Sequence, residues 1–175
     1  LDELPAGLVL TFPKVSTVSQ VEAMVSVCEE LEREHELPAG SLRFEIQVET
    51  PPLILGTDGR IPIAAALHAG AGRVSSLHYG TFDYSASLQI AAAYQAADHP
   101  AADFAKQVMQ VAVAGTGVHR SDGSTNILPA GSREQVEQAW AIHAGLVRRD
   151  HGRGAYQGWD RQPGPPPTRL AATDE

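Results

Sequence analysis

The feature that most constrains the fold of this chain is the regular alternation of short apolar runs with longer helical patterns. The strand-like runs cover residues 8–12, 42–49, 74–79, 118–119 and 155–159. The helical patterns cover residues 19–36, 63–69, 87–97, 101–114 and 132–149. Because strands joined by helices pair in parallel with right-handed crossovers, the alternation predicts an α/β fold with a parallel sheet. Five such units form either an open sheet or a little over half of an eight-stranded barrel.

Composition limits the possible partners and location of the chain. With 175 residues and 43% hydrophobic content, the chain has enough apolar side chains for one core, so we expect a single domain. A net charge of -8 without a basic cluster argues against nucleic acid or an anionic membrane surface as a partner. The single cysteine, Cys28, excludes a disulfide within the chain. There is no apolar stretch of bilayer length and no signal-peptide pattern, so we expect a cytoplasmic protein.

The two ends of the chain carry different signals. The chain begins at Leu1 rather than at methionine and reaches a strand-like run within twelve residues, so we expect it to begin in the middle of a domain. Near the other end, residues 162–167 read Gln-Pro-Gly-Pro-Pro-Pro, which predicts a polyproline-type stretch followed by a poorly packed tail. We therefore assign residues 1–162 to the domain and residues 163–175 to a Pro-rich tail.

Two acidic residues stand where strand-like runs end. Glu49 ends the second run and precedes Thr50-Pro51, and Asp83 follows the third run shortly after Gly80. If these runs are neighbouring parallel strands, both carboxylates lie at the same end of the sheet, where an oxygen-liganded divalent cation can bind. The alternative is that Glu49 belongs to a polar layer inside a barrel, since residues 45, 47 and 49 share one strand face.

The local sequence around these acids resembles that of the aldolase and citrate lyase β-subunit superfamily, a group of metal-dependent barrels that includes malate synthase. The matching segments are residues 12–15 (Phe-Pro-Lys-Val), 48–51 (Val-Glu-Thr-Pro), 80–84 (Gly-Thr-Phe-Asp-Tyr) and 156–160 (Tyr-Gln-Gly-Trp-Asp). Residues 99–106 and 121–126 are similar to an uncharacterised branch of that superfamily. The resemblance covers nearly the whole chain, from residue 8 to about residue 169.

The resemblance implies a fold, a cofactor and an activity. The fold is a (β/α)8 TIM barrel of which about the last five strand-helix units are present. Its metal ligands are Glu49 and Asp83, which hold Mg²⁺ or alternatively Mn²⁺. Its substrate-binding residues are Thr50, Pro51, Gly80, Thr81 and Phe82, with the amides of Gly80 and Thr81 facing the substrate. The activity is that of a Mg²⁺-dependent carbon–carbon lyase, which acts through a metal-stabilised enolate on a 2-oxo acid or acyl-CoA-type substrate.

The chain departs from the family pattern at two points. The Arg that polarises the substrate carbonyl belongs to early strands, which we expect to precede Leu1, so no catalytic residue is assigned. Gln162 stands where the family usually has His. These departures leave a second hypothesis open, a truncated or degenerate member that acts at most as a metal-binding or assembly module. Because a half-barrel exposes two strand edges, we expect either a homo-oligomer or a missing amino-terminal segment.

Overall fold

A computed structural model describes residues 4–123, 125–158 and 166–173 of the chain. Five parallel strands form one sheet in the order of the sequence. The strands are β1 (Leu10–Phe12), β2 (Phe44–Val48), β3 (Val74–Tyr79), β4 (His119–Asp122) and β5 (Gln157–Gly158). The prediction of an α/β fold with a parallel sheet is therefore confirmed, whereas closure of this sheet as part of a barrel stays a prediction.

The helices follow the strands along the chain. They are α1 (Val18–Glu34), α2 (Pro51–Ile54), α3 (Pro62–Ala69), α4 (Thr81–Ser87), α5 (Pro100–Val113), α6 (Arg133–His151) and α7 (Pro166–Thr173). The two longest, α1 and α6, each begin with a capping box, formed by Thr17 with Gln20 and by Ser132 with Gln135. Among the described residues, none of the helices has both the length and the apolar character needed to cross a membrane.

The two faces of the sheet differ in polarity because strand side chains alternate between them. One face is apolar and packs against α1, α3 and α5 through buried residues that include Phe44, Ile46, Val48, Leu77, Tyr79, Val21, Cys28, Ala66 and Met109. The opposite face carries a hydrogen-bonded polar layer. Glu45 accepts from the Thr11 and Ser76 hydroxyls at 2.8 and 2.9 Å, and Nδ1 of His78 lies 2.8 Å from the Ser121 hydroxyl.

The helix predicted at residues 87–97 is wrong. Helix α4 begins at Thr81 and ends at Ser87, and it is followed by a short 3₁₀ helix, Ala92–Tyr94. Gln89 adopts a positive φ of 61°, and the amide of Ile90 bonds back to the Ser85 carbonyl, which closes α4. The alanine-rich run has good helix propensity, but residues 91–94 are exposed, so no burial of an apolar face stabilises a longer helix there.

The tail predicted at residues 163–175 is corrected over the part that the structure describes. Residues 166–173 form α7, in which Ala172 is 4% exposed, and Thr168 lies 2.7 Å from Nδ1 of His143 on α6. Proline is tolerated in the first turn of a helix, where its missing N–H needs no partner, so the proline run does not prevent α7 from starting. Residues 163–165 and 174–175 lie outside the described residues, and the boundary at residue 162 stays a prediction.

Candidate metal centre at the carboxyl edge of the sheet

The carboxyl ends of β1, β2 and β3 bring three charged residues to one edge of the sheet. Val48 pairs with Tyr79, so Glu49 and Gly80 follow their strands at the same level. Asp83 lies in the first turn of α4, which begins directly after Gly80, and Lys14 follows β1. The structure thus brings together the two acids proposed as metal ligands, and it adds a lysine to which the sequence pattern gave no role.

Glu49 is fixed through both of its carboxylate oxygens. It is 1% exposed, its Oε1 accepts from the Lys14 backbone amide at 2.8 Å, and its Oε2 accepts from Nε2 of Gln47 at 2.7 Å. Burial raises the pKa of Glu49; the Lys14 amide opposes this shift and the neighbouring Asp83 carboxylate adds to it. Gln47 shares the strand face of Glu49 and orients its carboxylate. The alternative that Glu49 belongs to a polar layer inside a barrel stays a prediction.

Asp83 is the more exposed of the two acids. Its side chain is 56% exposed, and its Oδ2 lies 2.7 Å from the Lys14 ammonium. The same ammonium lies 3.7 Å from Oε1 of Glu49. One cationic group therefore contacts both carboxylates, which shows that the two acids converge on a position where positive charge is stabilised.

Position 80 requires a glycine because a side chain there would collide with Glu49, and not because of its backbone conformation. A Cβ at this position would lie 2.6 Å from Cβ and 2.9 Å from Oε2 of Glu49, although the glycine φ of -95° is open to any residue. Its amide donates to the Val48 carbonyl at 2.9 Å. The expectation that this amide faces a substrate is therefore wrong, because it is already used in the sheet.

The other proposed substrate-binding residues occupy different settings. Thr81 is 4% exposed, and its buried hydroxyl has no hydrogen-bond partner within the part of the chain that the structure describes. Phe82 is half-buried in the first turn of α4. The Thr50 hydroxyl donates to the Val15 carbonyl, and Pro51 opens α2. Of the two threonines, Thr81 thus has a side-chain hydroxyl without a hydrogen-bond partner among the described residues. The Thr50 hydroxyl is already used to hold the loop after β1. Gln162 lies outside the described residues.

The donor set fits a hard divalent cation. Carboxylate oxygens are the ligands that Mg²⁺ prefers, and Mg²⁺ keeps several waters, so two protein carboxylates are sufficient. Over residues 4–123, 125–158 and 166–173, no cluster of three or more His, Cys, Asp or Glu is placed to hold a metal. A cation at this edge would therefore have Glu49 and Asp83 as its acidic ligands.

A second group of charges, which sequence reasoning missed, is buried on the helix-covered face of the sheet. Lys106 on α5 pairs with Asp122 at the end of β4, lies 3.7 Å from Asp150 on α6, and donates to the Ala97 carbonyl at 2.8 Å. Burial raises the pKa of Asp150 to about 7, and the negative charge of Asp122 adds to the shift. The sequence did contain a sign of this group. Lys106 occupies a position on the apolar face of α5, where the helical pattern predicts a buried residue.

The family model described as "Domain of unknown function (DUF6986)" matches residues 1–175. No curated protein is similar enough to the sequence to match it. Among solved structures, the fold is similar to a citrate lyase from Burkholderia xenovorans LB400, with a TM-score of 0.71 and 21% identity over 94% of this chain and 48% of that chain.

Two further solved structures were determined with magnesium. The Haloferax volcanii malate synthase in a magnesium/glyoxylate complex has a TM-score of 0.72 and 16% identity over 94% of this chain and 44% of that chain. The citrate lyase β-subunit from M. tuberculosis, complexed with oxaloacetate and magnesium, has a TM-score of 0.64 and 15% identity over 97% of this chain and 63% of that chain. The chain thus spans about half the length of these structures, and at such identities the likeness establishes the fold alone.

Proposed function

Because the chain belongs to the DUF6986 family, a domain of unknown function, its activity has to be inferred from its site, and we propose that it is the metal-binding part of a Mg²⁺-dependent carbon–carbon lyase. The substrate class that we propose is a 2-oxo acid or an acyl-CoA-type compound. The observation that carries this proposal is the convergence of Glu49 and Asp83 on one cationic group at the carboxyl edge of a parallel sheet. Ligands of parallel α/β folds bind at this edge.

The residues around the site have separate tasks in the proposed reaction. Gln47 and the Lys14 amide hold Glu49 so that its carboxylate keeps one orientation. Gly80 leaves the space that this carboxylate needs. The Thr81 hydroxyl is buried and lacks a partner among the described residues, so it can donate a hydrogen bond to a substrate oxygen once substrate binding exposes it. Mg²⁺ bound at Glu49 and Asp83 would supply Lewis-acid stabilisation of the negative charge that develops on a carbonyl oxygen.

Two of the structural neighbours support the choice of metal and substrate class. One was solved with magnesium and glyoxylate and the other with magnesium and oxaloacetate, which are both 2-oxo acids. Their fold is shared with this chain, and Glu49 and Asp83 stand at the edge of the sheet where such a complex would form. We extend the magnesium and the 2-oxo acid to this chain as a proposal.

A second candidate function is favoured by the edges of the sheet. Within the described part of the chain, β1 and β5 are the outer strands of the five-stranded sheet. Unpaired strand edges promote association with further strands. The second candidate is therefore a metal-binding or assembly module without chemistry of its own, whose edges pair with another segment or a second copy.

A metal-dependent thermal shift tests the site. We expect Mg²⁺ or Mn²⁺ to raise the melting temperature of the wild type, because a ligand that binds only the folded state stabilises it. Asp83→Ala is expected to abolish this response. Asp58→Ala is the matched control, since it removes the same side chain from a turn beside Arg60, where that side chain is 57% exposed. An unchanged metal response in Asp83→Ala would show that the site assignment is wrong.

An activity assay separates the two candidates. Release of pyruvate or glyoxylate from a panel of hydroxy-oxo acids and acyl-CoA compounds is measured with Mg²⁺ and with EDTA. Metal-dependent release that is lost in Asp83→Ala supports the lyase. Metal binding without release from any member of the panel favours the non-catalytic module.

A further inference from the structure

The position of Lys14 at the candidate site has a consequence for how a metal enters. Its backbone amide donates to Oε1 of Glu49 at 2.8 Å, and its ammonium lies 3.7 Å from the same oxygen and 2.7 Å from Oδ2 of Asp83. One residue thus contacts both proposed ligands, with the main chain on the buried acid and the side chain between the two.

The backbone of Lys14 is held in an uncommon conformation that allows this double contact. Its φ is 57°, in the left-handed region that non-glycine residues rarely adopt. Such conformations persist only where the surrounding contacts determine them. The hydrogen bond from the Lys14 backbone amide to Glu49 is one such contact. It does not depend on the ammonium, so the main chain can keep its place while the side chain moves.

The ammonium and a divalent cation compete for the same oxygens. Mg²⁺ binds carboxylate oxygens at about 2.0–2.1 Å, and a positive group in contact with those oxygens repels it. The Lys14 side chain is 60% exposed, so it can rotate into solvent without unpacking the core. The contacts of Glu49 with Gln47 and with the Lys14 amide would remain after that rotation.

We propose that Lys14 is a tethered counter-cation that holds Glu49 and Asp83 together in the metal-free protein and is exchanged for the divalent cation when the metal binds. The inference rests on the proposed metal site and adds its regulation by a residue of the same chain. Lys14 raises the metal concentration that is needed for loading, and it keeps the acidic pair from repelling itself when no metal is bound.

Calorimetric titration with Mn²⁺ tests the exchange directly. Lys14→Met keeps the length of the side chain and removes its charge. We expect it to bind Mn²⁺ more tightly than the wild type by up to about fivefold, which is the upper end of what an exposed ion pair contributes. Without metal, the melting temperature of Lys14→Met is expected to be lower, and the increase on adding metal is expected to be larger. Arg133→Met, which removes an 87% exposed positive charge on α6, is the control for net charge.

The outcomes distinguish the exchange from the site itself. Equal or weaker Mn²⁺ binding by Lys14→Met, with binding still lost in Asp83→Ala, would overturn the exchange and leave the proposed metal site standing. If neither the wild type nor Lys14→Met binds Mn²⁺, both proposals are wrong. Binding by Lys14→Met alone would support the exchange in its strongest form.

A measurement on the wild-type sequence covers the case in which Lys14→Met does not fold. The chain has two lysines, Lys14 and Lys106, and Lys106 is 3% exposed within its own ion pairs. Selective ¹³C-methylation of lysine keeps the positive charge and gives one NMR signal for each modified amine. Adding Mg²⁺ is expected to move the Lys14 signal towards that of a solvated amine. A Lys14 signal that stays unchanged while the metal raises the melting temperature would refute the exchange.

Discussion

Gly80→Ala is the substitution for which the structure gives the clearest magnitude. The new Cβ would lie 2.6 Å from Cβ of Glu49, whereas ordinary contacts begin at 3.4 Å, so the two strand ends must separate by most of an ångström. Cβ of Glu49 is attached to the main chain and cannot rotate away. Overpacking of this kind typically costs about 1–3 kcal/mol, which corresponds to a fall in melting temperature of about 2–12 °C for a chain of this size.

The same displacement is expected to weaken the metal site more than it weakens the fold. Oε2 of Glu49 would lie 2.9 Å from the added methyl group, so the carboxylate must turn out of the position that Gln47 and Lys14 define. Mg²⁺ and Mn²⁺ require nearly ideal oxygen distances, so a ligand displaced by about 1 Å is lost. We therefore expect Gly80→Ala to remain folded and to lose the metal-induced rise in melting temperature.

The assay combines urea unfolding with a Mn²⁺ titration. Gly145→Ala on α6 is the matched control, because its added Cβ would have no atom within 4 Å and its position is inside a helix. That control is expected to raise the free energy of unfolding by up to about 1 kcal/mol, since alanine is the better helix former. If Gly80→Ala keeps both the stability and the Mn²⁺ affinity of the wild type, the close approach of residue 80 to Glu49 neither destabilises the fold nor displaces the carboxylate, and this prediction is wrong.

Two further predictions concern buried charges away from the site. The pKa of Asp150 is raised to about 7, so the folded state retains a proton that the unfolded state releases near pH 4. The free energy of unfolding is therefore expected to fall by up to about 4 kcal/mol as the pH rises from about 4 to about 7. Urea unfolding at several pH values should show a shallower fall in Asp150→Asn, and an equal fall in both proteins would contradict this. Arg73 binds Glu32 through two contacts of 2.6 and 2.9 Å, and both residues are buried. Arg73→Met is expected to cost about 3–5 kcal/mol at pH 7, because it leaves a buried carboxylate unpaired. The Arg73 contacts lower the pKa of Glu32 to about 2, so this contribution is present above about pH 4.5 and is lost as the pH falls towards 2; a loss below 1 kcal/mol at pH 7 would argue against it.

Elements with strong local patterns were predictable from the sequence. The third strand was expected at residues 74–79, and β3 spans Val74–Tyr79. Its apolar residues stand between Gly72 and Gly80, and such breakers mark the ends of a strand without any tertiary information. The location in the cytoplasm, the barrel closure, the domain boundary and the oligomeric state depend on information outside these patterns, and they stay predictions.

Elements that depend on packing were mispredicted. The alanine-rich segment after Ser87 reads as a helix by propensity, yet only a short 3₁₀ helix, Ala92–Tyr94, forms there. The proline-rich end reads as a loose tail, yet Pro166–Thr173 is helical and rests on α6. In both segments the deciding quantity is the apolar surface that a neighbouring element offers, which a local pattern does not contain.

The sequence by itself determined that this chain forms a parallel α/β sheet and that Glu49 and Asp83 follow neighbouring strands. It did so because the alternation of strand and helix periods fixes the direction of pairing, and parallel strands end at the same edge. Only the tertiary structure decided that Lys14 lies between the two acids and that Gly80 makes room for Glu49. Those contacts join residues that are 31 to 69 positions apart, so they depend on the register of the strands and on the direction of each side chain, which no local pattern specifies.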